Sequence, residues 1–546
     1  MLTQLLDIFG FLSVLLRGGA LALQSLVLGG ALFRCWVLRA AVGSLPDERV
    51  AESCRWLMFW SAMALPIAES CYVFSSAAIL TGTAGLTISE VFGANFVIAG
   101  VAAAGAAATI AASTERRDWN QSPTLLAASV VILTALVMTS QAAGRMEHRP
   151  ILIGLTALHQ VATASWIGGM PYLLLALARS SEIRTAQFIC RRFSCMAVFS
   201  LLVLVGAGWG MSLVYVGSVD AVYGTTYGAM LLSKIILLGV LFILGLLNFL
   251  IVRRLPADAA SSLPRVRRFA EAELGIGFTL IFAAGSLTSQ APATDLKLGR
   301  VSASEIVERI SPRWPRLVTP DISQLSPASP LNWRADANGQ VGVQSFVPGA
   351  SWHVNGPGDV AWSEYNHHWA GLIVLSVGLL AVTSRSNRTA WAKNWPLAFL
   401  GLAVFLFLRA DPENWPLGPR SFWQSFAVAD VLQHRLFVLL IIAFSIFELR
   451  VQTGRTSGRR AALVFPALCA AGGALLLAHS HSLGNIKEEL LVEVSHIPLA
   501  ILGVTAGWAR WLELRLASDR PRYVLAWIWP VCFVLIGVVL LNYREG

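Results

Sequence analysis

Apolar runs of about twenty residues recur along nearly the whole chain, broken by short connections that carry arginine. A run of that length is what an α-helix needs to cross the hydrocarbon of a bilayer. The residue balance agrees, because 56% hydrophobic against 13% charged leaves too little charged surface for a soluble protein of 546 residues. The expected fold is an all-α, polytopic membrane helical bundle. About fourteen spans are expected, starting near residues 10, 56, 88, 123, 151, 193, 226, 269, 368, 395, 432, 461, 490 and 523. The first run, IFGFLSVLLRGGALALQSLVLGGALF, is too long for the apolar core of a secretory signal and lacks a clear small-residue cleavage site. It is expected to remain as the first helix.

The connections set an expected orientation. Alternate ones carry Arg39, Arg49 and Arg55, then Arg116 and Arg117, then Arg179, Arg184, Arg191 and Arg192, and the pattern continues to Arg510, Arg515, Arg520 and Arg522. The intervening connections and the C-terminal tail hold few basic residues. Basic loops stay cytoplasmic, so both termini are expected outside. Three parts follow: an N-terminal membrane domain over 1–290 with about eight spans, an outward segment over 291–366, and a C-terminal membrane domain over 367–546 with about six. The outward segment holds the amphipathic stretch SEIVERI and four tryptophans, Trp314, Trp333, Trp352 and Trp362. A cap lying in the interface and a loose linker both fit it.

Several function classes find no support. The seven cysteines form no C-x-x-C pair, which argues against a disulfide framework or a thiolate zinc site. The net charge of +10 is spread over loops, orientation is its better cause, and no nucleic-acid motif accompanies it. There is no phosphate-binding loop, no H-E-x-x-H and no nucleophile elbow, so the chain is not expected to be an enzyme by those routes.

The histidines carry the chemistry. All nine, His148, His159, His353, His367, His368, His434, His479, His481 and His496, fall in the expected outer half or outer connections. Imidazole binds copper, zinc, iron and haem iron, and transfers protons near neutral pH. Asp430 and His434 are four residues apart on one helical face, so the carboxylate is placed to accept the second ring N–H. His479 and His481 end the next span. Glu489, Glu493 and His496 open the one after, with Glu493 and His496 three apart. Sequential helices usually pack side by side, so these three spans are expected to converge. Polar groups at membrane depth are costly and commonly functional, which favours a site at His434, His479, His481 and His496. For the isolated His148, His353, His367 and His368 an interfacial hydrogen-bonding role is preferred. Arg17, Glu69 and Lys234 lie within spans, and a structural Glu–Lys or Glu–Arg pairing is preferred there to an ion pathway. Met138, Met146, Met211 and Met230 sit toward the outer side and suit Cu(I), though methionine in such a bundle is usually packing.

The stretch LHQVATASWIGGMPYLLLAL, with His159, Trp166, Gly168 and Gly169, resembles the copper-resistance protein D (CopD) family. RRFSCMAVFSLLVLVGAGW resembles the family's Arg-Phe-Ser helix, and YGAMLLSKIILLGVLFILGLLN its Tyr-Gly, Lys and Asn helix with Lys234 and Asn248. RADPENWPLGP, LQHRLFVLLIIAFSIFE, AHSHSLGNIKEELL and HIPLAILGVTAGWARWLELRL look like the C-terminal half of the longer bacterial members. One departure stands out: Ala20 occupies the place after Arg17 where the family tends to carry a histidine. The resemblance implies a multi-pass protein of the bacterial inner membrane that handles copper, receiving it from a periplasmic CopC-like carrier. Copper in either oxidation state, with His159 deeper in the membrane and Asp430, Glu489, Glu493, Glu69, Lys234 and Met230 in supporting positions, is the leading expectation. A b-type haem redox protein using the same histidines, or a non-transporting membrane scaffold or assembly factor whose histidines only sense pH, remain alternatives. The sequence leaves the oligomeric state open.

Overall fold

Each apolar run closes into a helix, because a long unbroken apolar stretch must satisfy its backbone hydrogen bonds within itself. A computed structural model of the chain describes residues 2–38, 48–83, 86–115, 122–254, 259–296, 299–322, 325, 356–385, 389–455, 460–477, 486–516 and 520–545. Among these residues twelve helices are long and apolar enough to cross a membrane. Two shorter apolar helices, Pro123–Met138 and Ala461–Leu476, stand where the sequence places two further spans. No strand occurs among the described residues. The fold is thus the all-α polytopic bundle expected.

The helices fall into two compact units. The first comprises 12–217 and 235–289. Its helices are drawn from α1 (Leu2–Phe33), α2 (Glu48–Thr83), α3 (Asn95–Glu115), α4 (Ser122–Met138), α5 (Arg149–Thr163), α6 (Met170–Arg179), α7 (Ile183–Tyr215), α8 (Thr226–Arg254) and α9 (Ala259–Thr288). Between α5 and α6 the helix widens into a π turn over Ala164–Gly168. There the backbone of α1 comes into contact: a Cβ on Gly168 would lie 1.9 Å from the Ser25 carbonyl oxygen, and one on Gly29 2.3 Å from the Gly168 carbonyl carbon. Only glycine at both places permits this approach, which is how helices in lipid gain packing contact. The core of this unit is filled by Phe33 stacked on Tyr172, with their ring centroids 5.9 Å apart, and by Phe193.

The second unit comprises 1–11, 218–234 and 290–546. It holds α10 (Ala303–Ile310), α11 (Pro357–Thr383), α12 (Pro396–Arg409), α13 (Ala429–Gln452), α14 (Val464–Leu476), α15 (Ile486–Arg515) and α16 (Arg520–Leu541). Trp395, Phe399, Phe444, Phe465, Trp529 and Phe533 interlock at its centre, with Trp395 and Phe465 5.4 Å apart. Such aromatic pairs add about 0.5–1.5 kcal/mol each beyond their burial.

Within 299–322 the chain is held by specific contacts. Ser302 and Glu305 form a capping box at the start of α10. The strand of chain after it is pinned to the second unit by Asn542 Nδ2 donating to the Ile310 carbonyl at 2.6 Å and Trp369 Nε1 donating to the Leu317 carbonyl at 3.0 Å. Trp314 is exposed, whereas Trp362 is buried within α11, its indole donating to the Arg409 carbonyl. Trp333, Trp352 and His353 lie outside the described residues.

Candidate functional site

At one end of the second unit, the beginnings of α11, α13 and α15 and the tail after α16 bring imidazoles together. His367, on α11, uses Nδ1 against the Ser363 carbonyl at 2.8 Å, and His496, on α15, uses Nδ1 against the Val492 carbonyl at 3.0 Å. A carbonyl only accepts, so each ring is the Nδ1–H tautomer and Nε2 carries its lone pair. The two rings meet edge to face with centroids 5.8 Å apart. Tyr543 stacks on His367 at 3.7 Å and stands edge-on to His496 at 5.8 Å. His434, at the start of α13, is close enough to act electrostatically on both rings. Its own Nδ1 donates to Asp411 Oδ1 at 2.8 Å, which orients that ring as well.

Asp411 lies in the connection before α13. Asp430 was the expected partner, and its side chain lies outside the described residues, as do His479 and His481. Glu493 is buried one turn before His496, and Glu489 stands one turn earlier near enough to repel it. Among the described residues no group of three or more His, Cys, Asp or Glu side chains is already arranged to hold a metal ion.

His368 takes the structural role expected of it. Its Nε2 donates to the Tyr543 carbonyl at 2.9 Å and its Nδ1 accepts from the Arg316 backbone at 2.7 Å, so both ring nitrogens are engaged. His367 departs from that expectation, because its neighbours are a second imidazole and a tyrosine ring. His148 is an exposed residue with φ of 54° at the start of α5.

His159 belongs to the first unit, where its ring packs against Gly208 of α7, and Met211 one turn on accepts from Thr156 at 3.5 Å. Met230 is buried in the second unit, beside the Ser233 hydroxyl. Glu69 is buried and accepts from Gln24 Nε2 at 2.5 Å, with Arg17 acting on it through space. Arg17 itself donates to the Thr139 hydroxyl at 3.2 Å and lies over the Tyr72 ring. Glu69 thus has a direct amide partner, with Arg17 acting on it from farther off rather than in a direct Glu–Lys or Glu–Arg contact. Lys234 is half-buried on α8.

At the other end of the second unit lies a charge cluster that the sequence reading did not single out. Arg510 donates to Glu448 and to Glu513, each at 2.8 Å, and Arg385 donates to Glu513 at 2.6 Å. The Trp529 indole also donates to Glu513, and both guanidinium groups lie over its ring at 5.2 Å. These contacts tie α11, α13, α15 and α16 together, about 20 Å along α13 from His434.

Helices of this length and apolarity, with imidazoles and carboxylates on their inner faces, define a multi-pass membrane protein with a polar interior. No solved structure matches the chain. Residues 188–287, through α7, α8 and α9, match the family model of Copper resistance protein D. It is also similar to the Copper transport protein CutJ of Bacillus subtilis (strain 168), with 29% identity over 161 residues. That similarity covers 29% of this chain and 28% of the relative, so the chain matches only about a quarter of that protein's length.

Proposed function

We propose that this chain is a non-enzymatic copper carrier of the bacterial inner membrane, and that it takes copper at the imidazole end of its second unit and passes it across the bilayer. The observation that carries this reading is the shared hydrogen bonding of His367 and His496: both rings are held through Nδ1 by the carbonyl one turn earlier, so that Nε2 is the nitrogen that would coordinate. Neutral imidazoles hold Cu(I) or Cu(II) without adding net charge to a buried site. His434, oriented by Asp411, completes the set, and the sequence adds His479 and His481 from the connection between α14 and α15. The alternation of arginine-bearing connections puts this end outside, where a CopC-like periplasmic carrier has access. The name of the similar Bacillus subtilis protein, a copper transport protein, supports the same reading.

The test is copper affinity measured by competition with a chromophoric chelator on the full chain in detergent. His367→Ala and His496→Ala are each expected to weaken binding at least about tenfold, which is about 1.4 kcal/mol. His148→Ala serves as the control. Unchanged affinity in the double variant removes the pair from the site.

A further inference from the structure

The first unit contains a buried carboxyl that the copper reading does not use. Glu273 lies on α9, 4% exposed, within the stretch that matches the family model. It accepts from Asn248 Nδ2 on α8 and from the indole of Trp166 in the π turn. Both are neutral donors. The charged and titratable groups on the helices packed around α9 are engaged or placed elsewhere. Arg179, Arg191, Arg253 and Arg254 are exposed, Lys234 lies about four turns before Asn248 along α8, Arg192 donates to the Trp36 carbonyl, Arg267 and Arg268 pair with Glu271, and Arg17 donates to Thr139. Neither these nor Tyr172 and Cys190 are among the groups acting on Glu273. A second observation points at the same place: Asn248 Oδ1 is buried and receives no hydrogen bond among the described residues.

A bare carboxylate in a membrane-buried interior is costly, and two neutral donors offset only part of that cost. An amide that has given its N–H to one carboxyl oxygen points its own carbonyl toward the other, and that carbonyl needs a donor. We propose that Glu273 is a proton-binding site, in which the neutral acid donates its O–H to Asn248 Oδ1 and completes a two-bond acid–amide pair. The proton comes from water and returns to it when the carboxylate forms again, with no other bond made or broken. Its ligand is thus the hydrogen ion, and the CopD stretch gains the reversible proton carrier that a proton-linked membrane process requires. This proposal stands apart from the copper site.

Infrared spectroscopy of the full chain in lipid vesicles tests it. At neutral pH the wild type is expected to show a protonated-carboxyl C=O band that shifts down in D2O and is lost in Glu273→Gln, which keeps the size and polarity of the side chain. Glu69→Gln should leave that band in place. Asn248→Ala, informative even if Glu273→Gln fails to fold, should shift the band to higher frequency by removing the amide partner. A wild-type spectrum that Glu273→Gln does not change, or a band that Asn248→Ala does not move, overturns the proposal.

Discussion

The rings of His367 and His496 stand edge to face, 5.8 Å between centroids and 84° between planes, although they come from α11 and α15. Each is fixed from behind by the carbonyl one turn earlier on its own helix, so the pair is oriented before any ion arrives. Preorientation of this kind removes the cost of choosing a tautomer and a rotamer on binding.

Asp411 extends the same logic to His434. Its carboxylate fixes the hydrogen on Nδ1 and orients the ring, and outer partners of this kind typically change metal affinity 10–100-fold. Asp411→Asn is therefore expected to lower copper affinity by about tenfold while leaving the helical circular dichroism unchanged. An unaltered affinity excludes His434 from the site.

The charge cluster at the other end is structural. Arg510, Glu448 and Glu513 are each less than a tenth exposed, so removing Arg510 leaves the Glu448 carboxylate buried without a cation, while Glu513 keeps Arg385 and the Trp529 indole. Arg510→Met should destabilise the protein by about 3–5 kcal/mol, read as a lowered unfolding midpoint in detergent. Replacing Arg510, Glu448 and Glu513 together by apolar residues should recover much of that loss. A single Arg510→Met variant as stable as the parent contradicts the assignment.

Acid should release α10. Hydrogen bonding from Lys487 first, then from the Ser302 backbone and hydroxyl, draws the Glu305 carboxyl from 4.5 down to about 2. A carboxyl lowered on folding stabilises fully above its unfolded value and loses that contribution as pH falls through its folded value. Asp220, held below the ordinary range by Ser218 and then Arg300, acts in the same direction. The docking of α10 on the start of α15 is thus constant above 4.5 and fades toward 2. A spin label at position 307, introduced as Val307→Cys, should gain mobility across that window, and Lys487→Met should move the change upward. Mobility that does not respond to pH sinks this account.

How much of this was legible in the sequence depended on whether the cause was local. Continuous apolar runs placed the helices, and the glycine pair after Trp166 announced the close approach that Gly168 makes to Ser25. His496 and His434 were marked by their depth. His367 was not, since an isolated histidine near a helix start reads as interfacial until the tail returns Tyr543 to its face. Spacing of four proposes Asp430 for His434 but sees only one helix, so it could not announce Asp411, which arrives from the preceding connection. Glu273 and Glu448 each sit inside an expected span, so their signal was present. What gives them meaning, Asn248 and Arg510, comes from other helices.

The central claim is copper at the imidazole end of the second unit. Its most direct test is joint metal analysis and visible spectroscopy of the full chain, purified in detergent from copper-supplemented cells, beside the His367→Ala and His496→Ala double variant. The account predicts bound copper with no Soret band in the parent and most of that copper lost from the double variant. A copper-free parent, or a stoichiometric Soret band that disappears with the same two histidines, would contradict it.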